Sequence, residues 1–188
     1  MTTWTWLGDH LALDFANTTQ EQGGTMVDLI PTLAEFDAWR SAMGDRLPEV
    51  GELTTSQLDD LRSLRDSALA LMHAALGGHG LPEPDLAAVN EAVRSTSTSL
   101  LLVRARKADA VAGHHEGTEA LRGVLAAAVV DLLAREDLAN LALCHAPGCG
   151  QFFHRARPNQ RWCSPGCGNR ARVDRHRHRR ARPAGQGQ

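Results

Sequence analysis

Four cysteines in the last quarter of the sequence form the pattern with the most chemical potential. Four residues separate Cys144 from Cys149, thirteen residues follow, and three residues separate Cys163 from Cys167. Two close pairs are typical of structural zinc sites, because Zn²⁺ prefers four tetrahedral ligands and thiolates suit it. Four free buried thiols or two disulfides are the alternatives, but clustered cysteines in a reducing cytosol favour a metal. The sequence therefore predicts Zn²⁺ bound by Cys144, Cys149, Cys163 and Cys167.

The surroundings of the cysteines predict a structural metal rather than a catalytic one. No Asp or Glu occurs in residues 140–172, whereas catalytic zinc keeps an open position and usually has an acidic neighbour. His145 and His154 could replace a ligand, but four cysteines already complete the site. The sequence also shows no Ser-His-Asp order, glycine-rich phosphate loop or convincing carboxylate pair. We therefore do not expect an enzyme.

The residues around the cysteines predict the elements that position them. A Pro-Gly turn at residues 147–148 folds the first pair into a knuckle, and the Ser-Pro pair at 164–165 starts a helix under the second pair. Between the pairs, the sequence predicts a strand, a turn and a second strand, with Phe152, Phe153 and Trp162 as a small core. Together these elements describe a treble-clef-like zinc finger. Since about 45 residues bury little apolar surface, the metal would supply most of its folding energy.

Charge divides the sequence into two unlike segments. Residues 1–137 hold ten basic and 21 acidic side chains, a net charge of −11, whereas residues 138–188 hold ten arginines and one acid, a net charge of +9. An acidic body followed by a basic module is common in nucleic-acid binders. We predict a mostly helical regulatory or ligand-binding domain at 1–137, a zinc finger with a basic helix at 138–182, and a disordered tail at 183–188.

The arginine-rich segment after the last cysteine is the candidate nucleic-acid surface. Guanidinium groups donate hydrogen bonds to phosphates and to guanine edges. Two alternatives remain open: the segment could fold back on the acidic body, or it could dock acidic protein partners or RNA. The predicted nucleic-acid contacts are Arg155, Arg157, Arg161, Asn169, Arg170, Arg172, Arg175, Arg177, Arg179 and Arg180.

Hydrophobic periodicity predicts a mainly α-helical body with a minor β-hairpin. Residues 11–15 fit either a short strand or a helical turn. Apolar positions at helical spacing follow Pro31, the Thr-Thr-Ser cap at 54–56 and Pro84, and a further helix is expected at 118–135. Residues 99–114 fit a β-hairpin. The body therefore belongs to the mainly α class.

Polar residues inside the first apolar segment suggest a possible ligand site. Asp14, Asn17 and Thr18 could line the pocket of a small-molecule sensor. Alternatively, Asp14 binds the backbone or an arginine, and Asn17 and Thr18 cap the next element.

Oligomeric state and location are weaker expectations. One small finger buries too little surface to specify a DNA site alone, so a sequence-specific regulator of this size is expected to form a homodimer on two half-sites. A stripe of Leu61, Leu64 and Leu69 could supply the interface, although such a stripe is more often core.

The longest apolar run, residues 124–130, is far shorter than the roughly 20 residues of a membrane span, and the first ten residues lack a basic signal region. We therefore expect no membrane partner and a cytoplasmic location.

Two motifs resemble those of a known family. Residues 161–164 (Arg-Trp-Cys-Ser) and 167–170 (Cys-Gly-Asn-Arg) resemble the CGNR zinc finger, and residues 11–18 (Leu-Ala-Leu-Asp-Phe-Ala-Asn-Thr) are similar to the opening motif of the ABATE domain, which usually precedes that finger. The resemblance covers nearly the whole chain. It implies a bacterial, stress-induced transcription regulator whose finger binds DNA. In one departure, His154 and Arg155 stand where the family often has an acidic or neutral residue.

Overall fold

The computed structural model describes residues 9–94, 98–102, 108–112 and 117–181. Within these ranges the chain is mainly helical, as predicted, with three separate two-stranded antiparallel hairpins. The predicted tail at 183–188 lies outside the described residues. The elements are α1 (Leu11–Ala16), β1 (Thr19–Gln22), β2 (Thr25–Asp28), α2 (Leu33–Met43), α3 (Thr55–Gly77), α4 (Glu83–Arg94), β3 (Thr98–Leu102), β4 (Ala108–Ala112), α5 (Thr118–Ala134), β5 (Leu141–Leu143), β6 (Phe152–His154) and α6 (Pro165–Ala181), with short 3₁₀ turns at Gly44–Arg46 and Leu138–Asn140.

The longest helix, α3, begins and ends where its sequence predicts. The hydroxyl of Thr54 accepts a hydrogen bond from the backbone N–H of Gln57, and the Gln57 side chain accepts one from the backbone N–H of Thr54. This capping box satisfies two N–H groups that the helix itself leaves unpaired. At the other end Gly78 adopts φ +66°, a left-handed conformation that glycine reaches without steric cost.

The main core lies where α1 packs between α3 and α5. Residues 11–15 lie in helix α1, so the helical alternative for this segment is correct. Leu13 and Phe15 of α1 are fully buried. Leu61 and Leu64 of α3 are buried in this core as well. Because the chain's own core covers these two leucines, they cannot form the suggested dimer interface.

The predicted hairpin between the cysteine pairs is wrong in one strand. Strand β6 pairs with β5, which precedes the first cysteine, and the register joins Ala142 to Phe153 and Leu143 to Phe152. The described residues 155–164 contain no strand. The knuckle itself is the turn of the hairpin, and the second strand predicted near Trp162 is irregular chain.

Neighbouring aromatic residues of β6 face two different cores, because side chains alternate along a strand. Phe153 joins the small core around the cysteines, against which Trp162 packs, as predicted. The prediction is wrong for Phe152, which points the other way, into the main core of the body. The finger therefore shares a strand with the body instead of packing entirely on its own.

No helix in the described part of the chain is long and apolar enough to span a bilayer.

Candidate metal centre and basic helix

The four cysteines meet at one point. Their sulfur atoms all lie within 4.8 Å of one another, and the Sγ–Sγ distances are 3.6 Å from Cys149 to Cys163, 3.4 Å from Cys163 to Cys167 and 3.6 Å from Cys149 to Cys167. Four thiolates about 2.3 Å from a tetrahedral zinc ion would be about 3.8 Å apart. The cluster therefore fits Zn²⁺, and the prediction of a four-cysteine zinc site is confirmed.

Two glycines allow the knuckle that presents the first cysteine pair. Gly148 and Gly150 have φ values of +67° and +63°, in the left-handed region. The resulting tight turns are closed by backbone hydrogen bonds from Cys149 N to Ala146 O (3.1 Å) and from Gly150 N to Cys144 O (3.2 Å). These bonds turn both thiols of the first pair toward the same point.

The start of α6 presents the second pair. The hydroxyl of Ser164 accepts a hydrogen bond from the backbone N–H of Cys167 at 3.2 Å, as a helix cap does. Cys167 therefore lies in the first turn and Cys163 just before it. Cys163 and Cys167 lie on either side of the start of α6. Because both are metal ligands, the metal fixes the direction in which α6 leaves the finger.

Electrostatics explain why the cluster needs a cation. Four sulfurs this close cannot all be negative unless a positive ion lies between them. A hydrogen bond with Cys149 lowers the pKa of the Cys144 thiol, and the same contact raises the pKa of Cys149 to about 12. Hydrogen bonds with Cys144 and Cys149 raise the pKa of Cys163 as well. A bound Zn²⁺ would remove this conflict, since thiols lose their protons on binding it.

The histidines near the cluster have other partners or positions. His154 lies with Nε2 3.2 Å from Asp137 Oδ2 and Nδ1 3.9 Å from Asp9 Oδ2. His145 lines a cleft outside the cluster. The metal-binding group that the structure describes contains cysteines alone, which complete a tetrahedron with no open position.

The other residues of the Cys-Gly-Asn-Arg motif support the metal centre. A Cβ added to Gly168 would lie 3.2 Å from Cδ1 of Trp162, so a larger residue there would require the indole to shift by a few tenths of an ångström. Arg170 donates a hydrogen bond from Nη2 to the sulfur of Cys167 at 3.1 Å. A positive donor at this position stabilises the thiolate, as groups around a ligand often do.

Helix α6 exposes its arginines to solvent. Among the described residues, no ion pair joins these arginines to an acidic residue of the body. The structure therefore shows no ionic contact that would support the alternative in which this segment folds back on the body. Asn169 accepts a hydrogen bond from Arg172 at 2.9 Å, and Arg175 donates one to the backbone of Ala171. The exposed arginines of α6 are Arg170, Arg172, Arg175, Arg177, Arg179 and Arg180.

The three arginines before α6 do not share one surface. Arg155 and Arg161 line a cleft between the finger and α3, and Arg157 is exposed on the turn between them. Arg161 also lines a groove of about 490 Å³ beside the start of α6, together with Asn169 and Arg172. The structure thus brings Arg161 together with two predicted contacts on α6.

The polar residues of the first motif are buried and bonded within the protein. Asp14 Oδ2 lies 2.6 Å from Arg46 Nη1, which matches the alternative of an arginine partner. Thr18 donates a hydrogen bond to the carbonyl of Phe15 and accepts one from Arg65. The ligand role of Asp14, Asn17 and Thr18 stays a prediction.

Asn17 instead connects the body to the finger, a role that sequence reasoning missed. Its Nδ2 donates to the carbonyl of Phe152, and its Oδ1 accepts from the N–H of Phe152, both at 2.9 Å. Nearby, Glu21 N donates to Cys149 O at 3.3 Å, and the Gln20 side chain donates to Gly148 O at 3.4 Å. In the sequence, the only local sign of this role was an asparagine without an evident function in an apolar segment.

Comparisons with known families agree with this architecture. The family model ABATE, described as a putative stress-induced transcription regulator, matches residues 9–136. The CGNR zinc finger model matches residues 140–180, which include the four clustered cysteines. Comparison with curated proteins finds no match. The chain therefore belongs to the ABATE family and carries a CGNR zinc finger after its ABATE region.

Proposed function

We propose that the chain is a DNA-binding transcription regulator in which α6 contacts duplex DNA and the ABATE region regulates that contact. The single observation that carries the proposal is the exposed charge of α6. Six arginines and one acid, Asp174, give the described helix a net charge of +5 when its histidines are neutral. Such a helix is suited to a polyanion, because phosphate contacts supply most of the affinity in DNA binding.

The metal centre supports the proposal by fixing this helix. Seventeen residues of α6 span about 25 Å, and the major groove, about 12 Å wide, admits a helix. Arg161, Asn169 and Arg172 line the groove at the zinc-bound end. We assign phosphate contacts to the arginines along the helix and leave Asn169 and Arg172 as the candidates for base contacts. We place this activity in the cytoplasm and assign no catalysis to the chain.

The burial of the finger's aromatic residues favours duplex DNA over RNA. Proteins that recognise single-stranded RNA usually stack bases on exposed aromatic rings. Phe152 and Phe153 are 1% and 2% exposed, and Trp162 packs on the finger core. A homodimer remains part of the proposal for two half-sites, but its interface would have to lie outside the buried leucines of α3.

A salt titration with a matched control tests the proposal. The triple variant Arg172→Gln, Arg175→Gln, Arg179→Gln keeps every cysteine, so the zinc site remains. In this variant, binding of a fluorescent duplex to the zinc-loaded full chain should weaken strongly. The slope of log affinity against log salt should fall by about two, because Arg175 and Arg179 are the phosphate contacts removed and Arg172 is a candidate base contact. The control Arg94→Gln changes an exposed arginine on α4 and should bind like the parent chain.

Selection from random duplexes then separates the possible modes of binding. Enrichment of a short sequence that the triple variant fails to enrich would support sequence-specific regulation. Binding without enrichment would mean that only phosphates are recognised. Equal affinity of parent and triple variant, or tighter binding of single-stranded RNA than of the duplex, would contradict the proposal.

A further inference from the structure

A cleft of about 690 Å³ separates the C-terminal end of α3 from the finger. Its volume lies within the range of small-molecule sites. His73 and Leu76 line it from the body, whereas Leu143, His145 and Phe153 line it from the finger. A molecule in this cleft would therefore touch both parts of the chain at once.

Two arginines give this cleft positive charge, although Arg155 also lines a neighbouring cleft that contains Asp9 and Asp137. Arg155 and Arg161 both line the cleft beside α3, and none of the described residues that line it is acidic. The described part of the chain contains no ion pair to either arginine, and Nε of Arg155 is buried without a hydrogen-bond partner. A partly buried guanidinium is costly when unpaired, so an anion in the cleft would be stabilised there.

The loop that carries both arginines is held in place without a ligand. Arg155 N donates to Asn140 O at 2.9 Å. The side chain of Gln160 accepts from Ala156 N at 2.9 Å and donates to Trp162 O at 3.1 Å. Because these hydrogen bonds fix both ends of the loop, little backbone entropy would be lost when Arg155 and Arg161 receive a ligand.

We propose that this cleft binds a small organic anion. Its carboxylate would pair with Arg155 and Arg161, and its apolar part would lie against Leu143 and Phe153. The site is distinct from the polar residues of the first motif. Since the ligand would contact α3 and the finger together, it would stabilise their docked arrangement by mass action. Binding itself is independent of the proposed function, but a role as effector rests on it.

Benzoate is a suitable probe, because it joins a carboxylate to an apolar ring. With the zinc-loaded full chain, benzoate at about 10 mM, enough for a Kd near 1 mM, should shift the NMR resonance of the Arg155 Nε–H group and raise the Tm. Arg155→Gln should weaken benzoate binding about tenfold. The control Arg157→Gln removes an equal charge from the same loop outside the cleft and should leave binding unchanged.

Two results of the benzoate titration would overturn the proposal. One is the absence of a benzoate response in the parent chain. Another is an equal loss in Arg155→Gln and Arg157→Gln, which would indicate general charge attraction. Zinc content and the Tm without benzoate must match the parent chain in both variants; if Arg155→Gln fails this check, Arg161→Gln replaces it.

Adding duplex DNA identifies the source of the anion. Benzoate that still binds at saturating DNA, with an unchanged Kd or with a shifted Kd that no longer depends on the DNA concentration, would support a free small molecule. Displacement of benzoate in proportion to bound duplex would show that a DNA phosphate fills the cleft, which overturns the small-anion assignment. The triple variant of α6 should keep benzoate binding. Failure of DNA binding would therefore be seen separately from failure of the cleft proposal.

Discussion

The side-chain amide of Asn17 makes both backbone hydrogen bonds of Phe152, the two that a neighbouring strand would make. Both are 2.9 Å long and buried. Asn17 directly follows α1, whereas Phe152 lies on the strand that leads out of the zinc knuckle. One asparagine thus attaches the finger to the centre of the body, and the same Phe152 inserts its ring into the main core. The zinc centre and the body should therefore unfold together.

Replacing Asn17 with leucine should destabilise the whole protein. The variant leaves the N–H and the carbonyl of Phe152 buried without partners, which costs about 1–3 kcal/mol for each group. We expect the free energy of unfolding of the zinc-loaded chain to fall by about 3 kcal/mol in urea denaturation. Asn159→Ala, at an exposed position, should change it by less than about 0.5 kcal/mol. Equal effects of the two changes would contradict the assigned role of Asn17.

Removing zinc should loosen part of the body as well as the finger. A chelator leaves the thiols of the cluster without their cation, and strand β6 loses the constraint that holds it on α1. Hydrogen exchange of the amides of α1 should accelerate, because local opening depends on the stability of neighbouring contacts. Amides of α4, which packs on α3 and α5, should respond less and serve as an internal control. Unchanged protection of α1 would mean that the finger opens independently.

Arg170 should contribute to zinc affinity. Its guanidinium donates to the sulfur of Cys167, and loss of a partner of a metal ligand typically lowers metal affinity 10- to 100-fold. Competition with a chromophoric chelator should show such a loss for Arg170→Ala. Arg177→Ala removes the same charge from an exposed position farther along α6 and should keep the affinity of the parent chain. If both variants lose affinity equally, long-range charge alone explains the effect.

Asp28 should stabilise the protein at neutral pH and cease to do so in acid. Burial by itself would raise the pKa of Asp28, but hydrogen bonds from Arg65, from the N–H of Ile30 and from Arg62 lower it overall. A carboxyl whose pKa is lower in the folded state contributes stability above its unfolded pKa, about 3.9. That contribution is lost as the pH falls through the folded pKa.

The matching variant is Asp28→Asn, which removes the closer carboxylate partner of Arg65, whose side chain is only 4% exposed. Among the described residues it leaves that guanidinium with only the more exposed carboxylate of Asp66, at 3.2 Å. We expect a loss of about 3 kcal/mol at pH 7 in the free energy of unfolding, and a smaller difference from the parent chain below pH 4. Asp59→Asn removes a more exposed carboxylate that pairs with Arg62 and should cost less than about 1 kcal/mol. A pH-independent difference between Asp28→Asn and the parent chain would refute the assigned ion pair.

Local patterns in the sequence predicted the features that depend on near neighbours in the chain. The cysteine pairs, the Pro-Gly knuckle and the Ser-Pro helix start act over a few residues, so their chemistry follows from spacing. The cap at Thr54 and the left-handed Gly78 likewise set the ends of α3 by contacts within one turn. For this reason the zinc ligands and most helices were predictable.

Pairing between distant segments was not predictable in the same way. The sequence predicted a strand at Phe152. It did not show that the alternating side chains of this strand face two different cores, and no nearby residue indicates which strand pairs with it. Asp14 meets an arginine 32 residues away, and Asn17 meets Phe152 across 135 residues. Such contacts arise only when the whole set of helices packs.

The amino-acid sequence by itself determined that the chain binds zinc through four cysteines, carries a basic helix and has a mainly helical body, because these follow from short-range spacing, charge and periodicity. The tertiary structure decided that the finger is joined to the body through Asn17 and Phe152. It also decided that Arg155 faces the end of α3 across a cleft. Those arrangements depend on which buried surfaces fit one another, a condition that packing of the complete chain imposes and that no single segment contains.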